Sequence, residues 1–149
     1  MMKRILFSLA IVALSATATL CAQKSNNIFD NVEEMPRFPV CESSYQDNNS
    51  KKSCADQKMM EWLYSRIKYP QEAQDKGIQG TVVITFLVDK DGNMLNLEIT
   101  KKIGGGCEEE ALRVLQEMAA LPAKWIPGKQ AGKAVSVKYT LPIRFKLPS

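Results

Sequence analysis

Apolar positions along the chain change their period several times, and each change marks an element. Ser53 followed by Asp56 is a capping-box-like start, and Met59, Met60, Leu63 and Ile67, with Trp62 and Tyr64, recur at helical spacing until Pro70 stops the run. This predicts a helix over about 54–67. A second short turn, Gln71 to Lys76, closes at Gly77, the residue for which a left-handed cap costs least. Thr81 to Val88 is β-branched or apolar at every position and reads as a central strand covered on both faces or nearly so. Asp89-Lys90-Asp91-Gly92-Asn93 supplies hairpin-turn chemistry, and Met94 to Thr100 alternates as the partner strand, with Leu95, Leu97 and Ile99 on one side. Gly104-Gly105-Gly106 then breaks the strand. Cys107-Glu108-Glu109-Glu110 opens a helix whose core stripe is Ala111, Leu112, Leu115 and Met118, its first-turn acids matching the positive end of the dipole.

The last segment is the most regular. Val135, Val137, Tyr139, Leu141, Ile143 and Phe145 alternate with Ser136, Lys138, Thr140, Pro142 and Arg144, which predicts a long strand with one buried face. Pro142 cannot donate to a ladder, so the strand is expected at a sheet edge, where it can accept an added strand from a partner. Lys138, Pro142 and Arg144 are equally the residues that discourage such pairing. Toward the other end, Gln23 to Asn31 is polar and aperiodic and reads as a flexible lead-in. Met35-Pro36-Arg37-Phe38-Pro39 reads as an extended tether able to lay Phe38 and Met35 on a neighbouring surface.

Composition narrows the chemistry. The 149 residues are 45% hydrophobic, enough for one core. There is no histidine, which removes the commonest general base, the Ser-His and Cys-His nucleophile pairs and every His-ligated metal site. Lys and Arg number 20 against 16 acids, an excess too mild to argue for nucleic acid. Lys3 and Arg4, the apolar run Ile5 to Leu20 and the small residues after it predict a signal peptide over residues 1–22, cleaved after Ala22. Lipid on Cys21 is the alternative, opposed by the bulky Leu20 before it, and an uncleaved inner-membrane anchor is a second. The expected compartment is the periplasm.

Export allows disulfides to persist, and the mature chain would hold Cys41, Cys54 and Cys107. One bridge can form with one thiol left over. Cys41–Cys54 closes a short polar loop and is the preferred pairing, worth about 3 kcal/mol; Cys54–Cys107 and Cys41–Cys107 are the alternatives. No cofactor or metal is expected: Asp89-x-Asp91-Gly92 lacks the rest of an EF-hand, the three glycines lack a P-loop lysine, and the cysteines lack a C-x-x-C spacing. Cys107 at a helix start is opposed as a thiolate by three neighbouring acids, so a thiol enzyme is not expected.

In order and spacing, Tyr69-Pro70-x-x-Ala73-x-x-x-Gly77-Ile78-Gln79-Gly80, the run Ile84 to Gly92, Glu110-Ala111-Leu112, Trp125-x-Pro127-Gly128-Lys129, Gly132-Lys133 and Leu141-Pro142-Ile143-x-Phe145 resemble the TonB C-terminal domain, from about residue 60 to 147. The resemblance implies an α+β fold of two helices packed on a three-stranded antiparallel sheet, with residues 23–53 as lead-in and cysteine-bearing loop and 54–149 as the domain. It also implies a non-enzymatic role: a periplasmic module that contacts a TonB-dependent outer-membrane receptor, or another TonB-system protein, by β-strand addition, in support of energy-coupled transport. Carried over by residue, the partner-binding positions are Arg66, Lys68, Tyr69 and Pro70, and the strand Val135, Ser136, Val137, Lys138, Tyr139, Thr140, Leu141, Pro142, Ile143, Arg144 and Phe145. Neither nucleic acid nor a small-molecule substrate is implied.

The chain departs from the full-length family pattern. It carries no Pro-rich spacer, and residues 23–58, at about 3.4 Å each, could not reach across a periplasm. The link between Met118 and Trp125 is longer than usual, and the Cys41–Cys54 loop is an elaboration found in some members. The rival expectation is a structural or regulatory homodimer that pairs the same edge strand with a second copy.

Overall fold

The computed structural model describes residues 27–148. The leader expected over 1–22, its cleavage site and the Cys21 alternative lie outside the described residues.

In chain order the elements are β1 (Ile28–Phe29), α1 (Asn48–Tyr64), α2 (Gln71–Asp75), β2 (Gly80–Val88), β3 (Met94–Lys101), α3 (Cys107–Ala119), β4 (Gly128–Gln130) and β5 (Lys133–Phe145). The class is α+β, as expected. The central three strands are antiparallel, in the order β5-β2-β3, and two short strands absent from the expectation enlarge the sheet to five: β1 lies parallel to β5, and β4 pairs antiparallel with the start of β5. The one-turn α2 makes a third helix.

Period-2 patterning places Val82, Ile84, Phe86 and Val88 of β2 and Val137, Tyr139, Leu141, Ile143 and Phe145 of β5 on one buried face. Ala55, Met59 and Leu63 of α1 and Ala111, Val114, Leu115 and Met118 of α3 join them in a single core. The opposite face is less covered: Val83 and Leu87 are half-buried, and Leu95 and Ile28 are exposed. Thr85 on that face is buried too, so no position of β2 is exposed.

Four expectations are corrected by the tertiary structure. First, α1 begins six residues earlier than the apolar pattern suggests. Asp47 is the cap, its carboxylate accepting the Ser50 N–H at 2.8 Å. Residues 48–53 form helix without an apolar stripe because the helix reaches the core only from Ala55. It also ends earlier, at Tyr64, where Ser65 Oγ donates to the Trp62 carbonyl at 2.7 Å.

Second, β3 does not keep Leu95 with Leu97 and Ile99. Its register against β2 shifts between the Leu87–Leu95 and Thr85–Glu98 pairs, where Asn96 adopts φ 51°. The extra residue reverses the faces, so Met94 enters the core, Leu95 turns out, and Leu97 and Ile99 pack on the core side.

Third, the segment read as a lead-in is paired. Ile28 and Phe29 lie opposite Ser136 and Val137, and further on Glu34 bridges to Lys129 and Arg37 to Ile126. The tether does lay Phe38 inward, its ring 5.9 Å from Trp125 and 6.4 Å from Trp62. Arg37, almost fully buried, holds Glu42 through Nε at 3.0 Å.

Fourth, β5 is a sheet edge over part of its length only. β2 lies along one side from Val137 to Phe145, and β1 covers the other side at Ser136 and Val137. Beyond that no strand is paired to this side among the described residues.

The β2–β3 turn is locked to the chain after α3. Gly92 sits at φ 80°, its carbonyl accepts the Trp125 N–H at 3.0 Å, and a Cβ there would lie 2.1 Å from the Trp125 carbonyl.

Candidate functional site

The open side of β5 is defined by one hydrogen bond. Arg144 N–H donates to the Tyr64 hydroxyl at 3.0 Å, pointing away from β2. Main-chain direction in a strand alternates with period 2, so Lys138, Thr140 and Pro142 turn their main-chain groups to the same side. Pro142 therefore sits where its missing donor costs the β2 ladder nothing. At the other end, Phe29 lies opposite Val137 in a parallel register, which gives its N–H to the Ser136 carbonyl and its carbonyl to the Lys138 N–H. Among the described residues, what remains for a partner between Phe29 and Tyr64 is the Thr140 N–H and the carbonyls of Lys138, Thr140 and Pro142.

Beside this edge runs a groove of about 340 Å³, lined by Asp30, Asn31 and Met35 from the tether, Lys52 from α1, and Lys138, Tyr139 and Thr140. Tyr139 forms its floor. Its ring stacks 5.3 Å from Phe86, its hydroxyl lies 3.3 Å from Asp56, and Lys52 Nζ sits 5.9 Å above it. Burial, with the Asp56 carboxylate adding to it, pushes the phenol well above its ordinary value. Lys52 is itself held by Asp56 at 2.6 Å.

The expected site residues divide by role. Val137, Tyr139, Leu141, Ile143 and Phe145 bury their side chains in the core and offer a partner only main chain. Lys138, Thr140, Pro142 and Arg144 are exposed, and Val135 and Ser136 are half-buried. The stretch from Arg66 to Pro70 lies at the far end of the strand, where the Tyr69 ring meets Phe145 edge-on at 5.6 Å. Tyr69 donates its hydroxyl to the Ile78 carbonyl, and Pro70 precedes α2, so both are packing residues. Lys68 N–H donates to Glu110 at 2.7 Å, and Arg113 donates to the Arg66 carbonyl at 3.2 Å, which ties the stretch to α3. The side chains of Arg66 and Lys68 are exposed, the Arg66 guanidinium stacked 4.1 Å over Trp62.

Cys41 and Cys54 are bridged, with Cα atoms 6.1 Å apart, and join the tether to α1; Cys107 is free and buried. Burial and the nearby Glu108 and Glu109 push its thiol up, which disfavours the thiolate. Two participants escaped sequence reasoning. In the sequence Tyr64 is only one position of a helix and Ile28-Phe29 only part of a polar lead-in, although an adjacent apolar pair in such a stretch is itself a signal.

Among the described residues no helix is long and apolar enough to cross a membrane. No curated protein matches the sequence. Among solved structures, the solution structure of the Helicobacter pylori TonB C-terminal domain (residues 179–285) is 24% identical with a TM-score of 0.49, over 62% of this chain and 80% of that one. The Pseudomonas aeruginosa TonB C-terminal domain is 27% identical with a TM-score of 0.39, over 55% of this chain and 79% of that one. The family described as Gram-negative bacterial TonB protein C-terminal matches residues 65–147, more than half of the chain and the whole span from the end of α1 through β5. This chain belongs to the TonB C-terminal domain family, a periplasmic-type domain family associated with TonB-dependent transport.

Proposed function

We propose that the domain works in the periplasm as a peptide-binding module, capturing an extended segment of a TonB-dependent outer-membrane receptor, or of another TonB-system protein, on the open side of β5. The observation that carries this reading is the outward side of β5 between Phe29 and Tyr64, where among the described residues no strand takes up the Thr140 N–H or the carbonyls of Lys138, Thr140 and Pro142. Added strands draw affinity from main-chain hydrogen bonds, each contributing about 1 kcal/mol. Side chains at the edge then adjust fit, and the buried positions hold the strand in place. Arg66 and Lys68, exposed beyond Tyr64, would contact the segment where it leaves the edge. The domain supplies binding to energy-coupled transport across the outer membrane and performs no bond chemistry itself.

The decisive substitution is Thr140→Pro, because Thr140 carries the outward N–H that neither β1 nor Tyr64 uses. Pro142, in the same orientation two residues on, shows that the strand accommodates proline there. Thr140→Pro should abolish binding to a receptor-derived peptide with the circular dichroism spectrum retained, while Lys138→Ala should weaken it modestly. Lys138→Pro should also lose binding, with β1 loosened at the same time. Undiminished binding by folded Thr140→Pro, or no binding of such a peptide by the native domain at about millimolar concentration, overturns the proposal.

A further inference from the structure

We infer that β1 is a displaceable strap that holds the binding edge partly closed, so that a partner pairs along the full edge only after Ile28 and Phe29 have lifted from β5; the inference rests on the strand-addition reading above. β1 lies in the lane that an added strand would use. Neighbouring strands sit about 4.8 Å apart, so one side of β5 holds one strand at a time. Ile28 and Phe29 fill that lane opposite Ser136 and Val137, which closes off the Ser136 carbonyl and the Lys138 N–H. Asp30 and Asn31 then line the groove together with Lys138 and Thr140. The strap thus covers the Lys138 donor and crowds that of Thr140.

β1 is held lightly, and the chain after it is held firmly. Ile28 is 56% exposed and Phe29 is half-buried, so lifting them uncovers little apolar surface. Asp30, Asn31 and Val32 make no hydrogen bond or ion pair among the described residues. From Glu33 onward the chain is fastened. The Glu33 carboxylate accepts the Ala131 N–H at 3.1 Å, Glu34 and Lys129 exchange main-chain bonds of 3.1 and 2.8 Å, and Arg37 and Ile126 exchange bonds of 3.0 and 2.9 Å. A short exposed strand joined to a firm anchor through unbonded residues can open locally while the core stays intact.

The strap has two consequences for the edge. Closed, it shields part of β5 from unselective pairing, as covered edges do in other sheets. Lifted, it adds the Ser136 carbonyl and the Lys138 N–H to the groups already open. Apparent affinity is then the intrinsic affinity of the open edge reduced by the fraction of molecules whose strap is up.

The test uses the full chain with its disulfide intact and, as probe, a short blocked peptide alternating valine with threonine, because main-chain bonds carry strand capture and a β-favouring sequence reports it. Two variants shift the strap in opposite directions. Phe29→Pro removes the N–H given to Ser136 and should raise affinity about fivefold or more in calorimetry. Ile28→Cys with Ser136→Cys joins facing positions of the register, at a strand spacing within the span of a disulfide, and should lower affinity once bridged. The bridged form carries the test by itself if the proline variant does not fold. In the native chain, saturating peptide should speed hydrogen exchange at the Phe29 amide, since that residue is expelled from the ladder. Equal affinity for the native, proline and bridged forms overturns the strap and leaves strand addition in place. So does a Phe29 amide that slows in the complex, which sets the two strands end to end. Weaker binding by folded Phe29→Pro makes β1 part of the binding site and also overturns the strap. Binding by none of the three at about millimolar peptide overturns both readings.

Discussion

The hydroxyl of Tyr64, the last residue of α1, takes the backbone N–H of Arg144 at 3.0 Å, so the helix closes one end of the open side of β5. The phenol is exposed, and its removal leaves Arg144 able to bond water. Tyr64→Phe should therefore cost about 0.5–1.5 kcal/mol in denaturant unfolding. Amide exchange at Arg144 should quicken while that at Ile143, which faces β2, stays slow. An unchanged Arg144 amide would show that the phenol does not hold the strand.

Trp125 is the hub of the aromatic core, its ring 5.4 Å from Phe86, 5.5 Å from Tyr139 and 5.9 Å from Phe38. Trp125→Ala should destabilise by about 3–5 kcal/mol. Among the described residues the buried indole N–H has no hydrogen-bond partner, and Trp125→Phe removes that donor while keeping an aromatic surface, so it should cost clearly less. A loss under about 1 kcal/mol for the alanine variant would mean that the ring does not anchor the fold.

The Cys41–Cys54 bridge closes a loop between the tether and α1 at a sequence separation of 13. Replacing both cysteines by serine should lower stability by about 3 kcal/mol. Because the same loop carries Glu42, the partner of buried Arg37, reduction should also loosen the segment that packs Phe38 on Trp125. Cys107 should resist alkylation until the chain unfolds. Rapid labelling of Cys107 in the native protein would contradict its burial.

Stability should fall in acid through Glu110. Hydrogen bonds from Arg113 hold its carboxyl below the ordinary 4.5, against the opposing effect of burial, with the Lys68 N–H adding to the shift. A carboxyl whose native value lies below its unfolded one stabilises fully above 4.5 and loses that contribution as pH falls through the native value. Glu110→Gln should then cost about 1–2 kcal/mol at neutral pH and much less at about pH 3, compared by urea unfolding. A gap of equal size in acid would assign the effect to packing.

Much of this was legible from residue order alone. The alternation of Val135 to Phe145, the unbroken β-branched and apolar run of β2, the glycine of the β2–β3 turn and the stripe of α3 are local patterns, and each became the element it encodes, because period-2 and helical spacing report which face is buried. The bridge between Cys41 and Cys54 was likewise the preferred pairing. The limits of the candidate site were not legible. Residues 48–53 form helix with no core face to show it, and one inserted residue at Asn96 turned Leu95 outward. Two-residue β1 is too short to carry a period. Its pairing with Ser136 and Val137, like that of Tyr64 with Arg144, joins positions far apart in the chain through main-chain atoms that every residue possesses. Side-chain order can say that β5 has a buried face; only the packed structure decides which stretch of its backbone is left without a neighbour.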